Sequence, residues 1–468
     1  MTALARLLIA FCALFATAGA PARESDTIAI VGADVLPMTG AERLADRTVL
    51  IRGDRILAVG PRARTAIPAG ARRIDARGMT LMPGLVDMHV HLAPTPGAPG
   101  DAAQRAMAVM LGHGVTTARG MAGSPANLIV RDAVARGALA GPRLYAAAPA
   151  LNVNSVASPE AARQAVAEAH AAGYDLVKAH HLTDLATWQA MQDEARRFGL
   201  PVAGHVANEI GLDRAMAAGQ QIEHLDGALL ALLPAGAPER SIPFGQIPPP
   251  PVLGALARLT DAELDAFARR AAAARARHVP TLALFERIVD LETPVERLRA
   301  LPEMRYVPNP VLAQWAGQRA QFRQAGYSSA DAAAFVALRR RIAGALHRAG
   351  VPLMAGSDTA QGFHLWGSGL IAEIEALHAA GLSRLDSLRA ATIVPRDYFR
   401  SLPNAGAVDF GTVEAGTRAD LLLLRGDPSR DLAALRRIQG VIAAGRLHDR
   451  AALDAMLDAA SRAAKAVN

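Results

Sequence analysis

His89 and His91 stand one residue apart in "LMPGLVDMHVHL", Leu81 to Leu92, in a chain with 13 histidines among 468 residues. Two imidazoles at that spacing can chelate one cation if they share a face. On a strand, residues two apart do so. On a helix they would diverge by about 200°. The stretch reads as a strand, with Asp87, His89 and His91 facing inward and the apolar Val86, Met88 and Val90 facing outward. Taken alone, the pair is equally well explained by a core strand with incidental histidines.

Three later stretches weigh against coincidence. "PVAGHV" carries His205, "QIEHLD" carries His224, and "VPLMAGSD" ends in Asp358. Each polar residue follows an apolar strand and precedes a loop. Imidazole and carboxylate are ligand types that zinc favours. Burying each one singly would be costly without a partner. Their shared position points to one metal centre.

Lys178 ends the strand-like "YDLVK" and should also point inward. Only Lys178 and Lys465 among the 50 basic residues are lysine. A chain that uses arginine for positive charge has a separate reason for a core lysine. An ammonium beside metal ions would be repelled. A neutral amine can instead take up carbon dioxide as a carbamate, an anionic two-oxygen ligand able to bridge two metals. Lysine can lose its proton on burial and do this, whereas arginine effectively cannot. The bland alternative is a lysine whose tip snorkels to water at the rim.

Elements must hold these residues in place. From about residue 83 to 402, strand-like and helical stretches alternate. "SPEAARQAVAEAHAAG" has a Ser-Pro-Glu start at Ser158 and stops at Gly173. "DLATWQAMQDEARRFG" sets Trp188, Met191, Ala195 and Phe198 at helical spacing and stops at Gly199. Repeated βα units predict an α/β fold, a (β/α)8 TIM barrel, whose strand ends form the active face. Extra material at about 228–275 and 290–343 reads as lids, substrate walls or subunit contacts. The Pro run in "PFGQIPPPPVLG" reads as an extended surface loop.

Residues 23–82 and 403–448 share short strands and tight turns, so both chain ends are expected to build one small β-sandwich. Residues 449–468 read as an amphipathic helix packed on that sandwich. Residues 1–22 read as a cleaved secretory signal, with Arg6, a short apolar run and cleavage after Ala22. Export to the periplasm or beyond follows, with no stable membrane insertion afterwards. No later run reaches the ~18 apolar residues of a membrane helix. Cys12, the only cysteine, lies in that segment, so the mature chain has no disulfide and no thiol chemistry.

The net charge is +7, but the basic residues are dispersed. Nucleic-acid binding is therefore not expected, and a small-molecule or peptide substrate is. Arg119, after the second barrel strand, can meet a substrate carboxylate or pair with an acid within the fold. His364, in the loop after Asp358, either reaches the pocket or is a solvated loop residue. His180 and His181 follow Lys178, and spacing does not decide which of them supports the site.

"PGLVDMHVHL", "LVKAH", "VAGHV", "IEHL" and "AGSD" together resemble the amidohydrolase superfamily, in order and over nearly the whole mature chain. The look is that of its imidazolonepropionase-like, secreted prolidase-type branch. "AGTRADLLLL" and "IQGVIAAGRL" are similar to its C-terminal sandwich segment. The resemblance implies two divalent metal ions, zinc by default. His89, His91 and Asp358 would hold one, His205 and His224 the other, with carbamylated Lys178 between them. Asp358 would accept the proton of the attacking water and pass it to the leaving amine. The implied reaction is hydrolysis of an amide in small peptides or N-acyl amino acids. "GSD" stands in place of Gly-Thr-Asp, and "TTARGMAG" in place of a more usual Arg-Asp pair. Other readings are a mononuclear, imidazolonepropionase-like cyclic amidohydrolase, a lactonase or organophosphate hydrolase, and a retired scaffold that only binds metal or solute. The inserted helices favour a homo-oligomer.

Overall fold

The computed structural model describes residues 27–40, 43–92, 101–233, 247–324 and 326–467. The predicted signal, 1–22, lies outside the described residues. The N-terminal strands are β1 (Thr27–Val35), β2 (Leu44–Arg52), β3 (Arg55–Pro61), β4 (Arg72–Asp75) and β5 (Met79–Pro83). The middle contributes β6 (Leu85–Val90), β7 (Val115–Gly120), β8 (Arg143–Ala146), β9 (Val177–Ala179), β10 (Val202–Gly204), β11 (Gln221–Glu223) and β12 (His278–Val279). The C-terminal strands are β13 (Leu421–Arg425), β14 (Ile438–Ala443) and β15 (Arg446–Asp449).

Both chain ends enter one eight-stranded sheet in the order β15-β14-β13-β5-β1-β2-β3, with β4 beside β1. The leucine run of β13 shows why it is apolar on both faces. Leu421 and Leu423 enter the sheet's own core with Ile30, Val49 and Leu81. Leu422 and Leu424 enter the main barrel core. Strand alternation thus makes β13 a wall shared by two cores.

In the middle, β6, β7 and β8 form one parallel sheet, and β9 to β12 form another. Single parallel bridges connect them: Ala147 with Leu176, Leu151 with Ala179, His278 with Leu353, and Val90 with Thr359. The segment 353–359 is the eighth member of the ring. No continuous closed ladder runs through the described residues, but the order is that of a TIM-barrel-type α/β fold.

The helices follow their sequence signals. The Ser158 hydroxyl caps Pro159–Ala171 by accepting from Ala161 N. Asp184 caps Leu185–Phe198, and Gly199 ends it in the left-handed conformation at φ 68°. Two expectations need correction. From Pro250 onward the Pro run is not an extended loop, because Pro250–Ala257 is a helix with proline in its first turn, while Pro249 before it is extended at φ −55° and ψ 152°. The first helical N–H groups have no intrahelical partner, so proline loses nothing there. The C-terminal helix, Arg450–Lys465, packs mainly on the barrel helix Asp101–Gly112 and less on the sheet. Gly112 permits this approach, since a Cβ there would lie 2.6 Å from Leu457 Cδ2. Among the described residues, no helix is long and apolar enough to cross a membrane.

Candidate metal centre

The end of β6 meets the end of segment 353–359. Asp358 N donates to His89 O at 2.7 Å, and His91 N donates to Thr359 O at 2.6 Å. Asp358 sits in the left-handed region at φ 53°, which turns its carboxylate toward the histidines. Asp358 Oδ1 is 2.9 Å from His91 Nε2 and 3.3 Å from His89 Nε2. One ligand atom from each of the three residues lies within 4.8 Å of the others. Burial disfavours the Asp358 anion, yet His89 and His91 outweigh it and hold the pKa at about 2.

The pairing along β6 is not continuous. Its register with β7 shifts between Asp87 and Val90. Arg119 Nε donates to Met88 O at 2.7 Å, so a side chain satisfies this carbonyl at the break. Asp87 accepts from Ser357 Oγ at 2.6 Å and from Ser357 N at 2.9 Å. It thereby ties β6 to the segment that carries Asp358. Burial raises the Asp87 pKa to about 7, against the lowering pull of the Ser357 bonds.

The other predicted residues gather around this cluster. Ring centroids of His89 and His224 are 4.8 Å apart, and those of His205 and His224 are 4.6 Å apart. His180 stacks edge-on against His205 at 4.6 Å. His205 Nδ1 lies 2.7 Å from Asp226 Oδ2, and His224 Nδ1 lies 2.9 Å from Thr281 Oγ1. Lys178 on β9 is buried at 1% exposure. Burial lowers its pKa, while Glu223 and Asp358 oppose that shift. Burial also drives His89 and His224 well below the usual histidine range, leaving both imidazoles neutral. Neutral imidazole is the form that binds metal.

Whether this set fits a metal can be tested on its unpartnered atoms. His89 Nε2 and Lys178 Nζ are buried without a hydrogen-bond partner among the described residues. Buried polar atoms rarely stay so. His89 Nδ1, on the other side of the ring, is 2.7 Å from Glu223 Oε2. A carboxylate on one ring nitrogen fixes the tautomer and presents the other as a ligand. His89, His91 and Asp358 therefore suit a divalent cation, with His205, His224 and Lys178 adjoining.

Glu223 escaped the sequence reading. Strand alternation would place it opposite His224, but His224 leaves the strand at φ 60° and breaks the pattern. A carboxylate and an arginine in two apolar strands were the available signal, since buried charges need partners. Arg119 takes the second of its two expected roles, pairing with an acid within the fold. It is fully buried and its Nη2 donates to Glu223 Oε1 at 2.5 Å, which leaves it a support for His89. His364 is also not a solvated loop residue. It is 4% exposed, with its pKa pushed down to about 3 by burial. It lines a cavity of about 480 Å³ with Arg287, Arg305 and Tyr306.

Comparison with known proteins agrees with this geometry. The amidohydrolase family model matches residues 80–448. A stretch of 71 residues is 46% identical to a 5-methylthioadenosine/S-adenosylhomocysteine deaminase from Symbiobacterium thermophilum, covering 15% of this chain and 16% of that protein. The matched stretches span less than a quarter of the length of the curated relatives. Among solved structures, bottromycin amidohydrolase superimposes with TM-score 0.69 at 23% identity, covering 94% of this chain and 92% of that one. A Xaa-Pro dipeptidase with methionine bound in its active site gives TM-score 0.64 at 19% identity, covering 90% of this chain and all of that one. These likenesses are of fold. The family match spans most of the chain, which belongs to the amidohydrolase family.

Proposed function

We propose that the chain is an exported, metal-dependent hydrolase that cleaves the amide bond of small peptides or N-acyl amino acids at a two-metal centre. The observation that carries this is the convergence of His89, His91 and Asp358 beside the buried amine of Lys178, which has no hydrogen-bond partner among the described residues. His89, His91 and Asp358 would hold one metal, and His205 and His224 the other. Lys178 would bridge them after its neutral amine adds to carbon dioxide, forming an N–C bond and releasing a proton. Zinc suits the nitrogen and oxygen donors. When bound, such ions lower the pKa of water to about 7 and polarise a carbonyl.

The chain's own residues do the rest. Glu223 keeps the His89 tautomer, and Arg119 holds the Glu223 carboxylate in place. Asp358 is an anion at neutral pH, so it can take the proton of the attacking water. It then returns that proton to the leaving amine. A peptide-type substrate is supported by the dipeptidase and the amidohydrolase that share the fold. The deaminase relatives also break a C–N bond, by their names. Export rests on the signal-like residues 1–22.

A one-metal form is the second reading. It is favoured by the compactness of the His89–His91–Asp358 group. The test of function is turnover of a dipeptide and N-acyl-amino-acid library by zinc-loaded protein, with Asp358→Asn as control. Turnover by the native chain and its loss in the variant are expected. A zinc-loaded native chain inert across the library and across cyclic amides and esters would point to a retired scaffold.

A further inference from the structure

The ladder between β11 and β12 ends where His224 N donates to Val279 O at 2.8 Å. Beyond that bond both chains leave strand geometry. His224 has φ 60°, Leu225 φ 57° and Thr281 φ 48°. These are left-handed conformations at non-glycine residues, and the β-branched threonine is the most disfavoured of the three. Such turns persist only where the surroundings over-determine them.

Here the surroundings come from the helix that leads into segment 353–359. Helix Ser329–Arg348 carries Arg339, which is 5% exposed. Its Nη1 donates to His224 O at 2.9 Å and its Nη2 donates to Pro280 O at 2.8 Å. One guanidinium thus spans the two strand ends just past their last ladder bond. Its plane is set by aromatic contacts. Cζ lies 3.9 Å from the Phe285 ring centroid and 5.5 Å from that of Phe335. The acids Asp226, Glu373 and Glu286 balance its charge without a direct ion pair to it among the described residues. The same two turns are tied a second time by the 2.9 Å contact of His224 Nδ1 with Thr281 Oγ1.

We propose that Arg339 is a positioning residue for His224: it locks the two strand-end turns together so that Thr281 fixes the rotation of the imidazole toward the metal centre. The helix Ser329–Arg348 is then part of the site's frame, not only an outer wall. The inference rests on His224 being a metal ligand. Lysine cannot replace the fork, because its ammonium is a single point charge that does not pre-organise two carbonyls.

The experiment uses full-length protein and zinc ion. Zinc affinity is measured by chelator competition on the native chain, Arg339→Lys, Thr281→Val and the double variant. Thermal unfolding of each is measured without metal. Arg339→Lys and Thr281→Val are each expected to weaken the second zinc by about 10- to 100-fold, the range for lost outer-sphere support, and leave the first zinc unchanged. The double variant should be no worse than the weaker single one, because both act through one imidazole. A purely structural arginine would lower the metal-free melting temperature and leave zinc affinity alone, and that result overturns the proposal. If Arg339→Lys does not fold, Thr281→Val decides, since native second-zinc affinity in it overturns the proposal too. A native chain that takes up no zinc would instead overturn the metal centre itself.

Discussion

Replacing Glu223 by Gln tests how the centre is held. The carboxylate accepts twice, from Arg119 Nη2 at Oε1 and at the His89 Nδ1 side through Oε2. Glutamine keeps the shape but has one acceptor oxygen and one NH2 group. If the oxygen faces Arg119, the NH2 meets His89 Nδ1 and forces the proton to Nε2, the atom that should bind metal. If the amide is reversed, the NH2 opposes the Arg119 donor. The first orientation spoils the ligand atom and the second leaves a buried donor without an acceptor, and in both the fully buried Arg119 loses its counter-charge. Loss of such carboxylate support typically weakens metal binding by about 10- to 100-fold, or about 1.4–2.8 kcal/mol. Glu223→Ala goes further and strands the guanidinium, which should cost about 3–5 kcal/mol of stability. Chelator competition with zinc and urea unfolding of the metal-free protein measure the two effects. A Glu223→Gln protein that binds zinc like the native chain would refute the orienting role. A Glu223→Ala protein of native stability would refute the buried pair.

Other consequences can be checked independently. Burial raises the Glu373 pKa from 4.5 to about 8, so the folded state holds a proton that the unfolded state releases above 4.5. Its contribution is therefore complete below pH 4.5 and is lost as pH rises through 8, at up to about 1.4 kcal/mol per pH unit. Glu373→Gln should flatten that slope in urea unfolding between pH 5 and 8, and an unchanged slope would exclude Glu373 as its source. Gly112→Ala sets a Cβ 2.6 Å from Leu457 Cδ2 and should cost about 1–3 kcal/mol by overpacking. Thermal unfolding should show that loss shrinking in the Leu457→Ala background, whereas additive effects would contradict the contact. Ser357→Ala removes the 2.6 Å hydroxyl bond to buried Asp87 and should destabilise by about 1–3 kcal/mol, while Ser357→Thr keeps the hydroxyl and should not.

Much of the candidate site could be read from residue types alone. His89, His91, His205, His224, Lys178 and Asp358 announced themselves because polar residues at the ends of apolar strands are costly without a shared purpose. The supporting layer was hidden by departures from regular geometry. A register shift in β6 exposed Met88 O to Arg119, and a left-handed His224 put Glu223 on the same side as His89. Alternation alone assigns Glu223 to the wrong face. The frame was partly legible. Leucines in β13 signalled a strand buried on both sides, but not that its two faces serve different cores. The amphipathic C-terminal helix was evident, whereas its docking on Asp101–Gly112 depends on the absence of one Cβ.

Metal stoichiometry bears most directly on the central claim. Elemental analysis of protein saturated with zinc in bicarbonate buffer should give two ions per native chain. Lys178→Met, which cannot form a carbamate, should hold fewer and lose turnover. Saturation of the native chain at one ion, with activity retained in Lys178→Met, would contradict the two-metal centre.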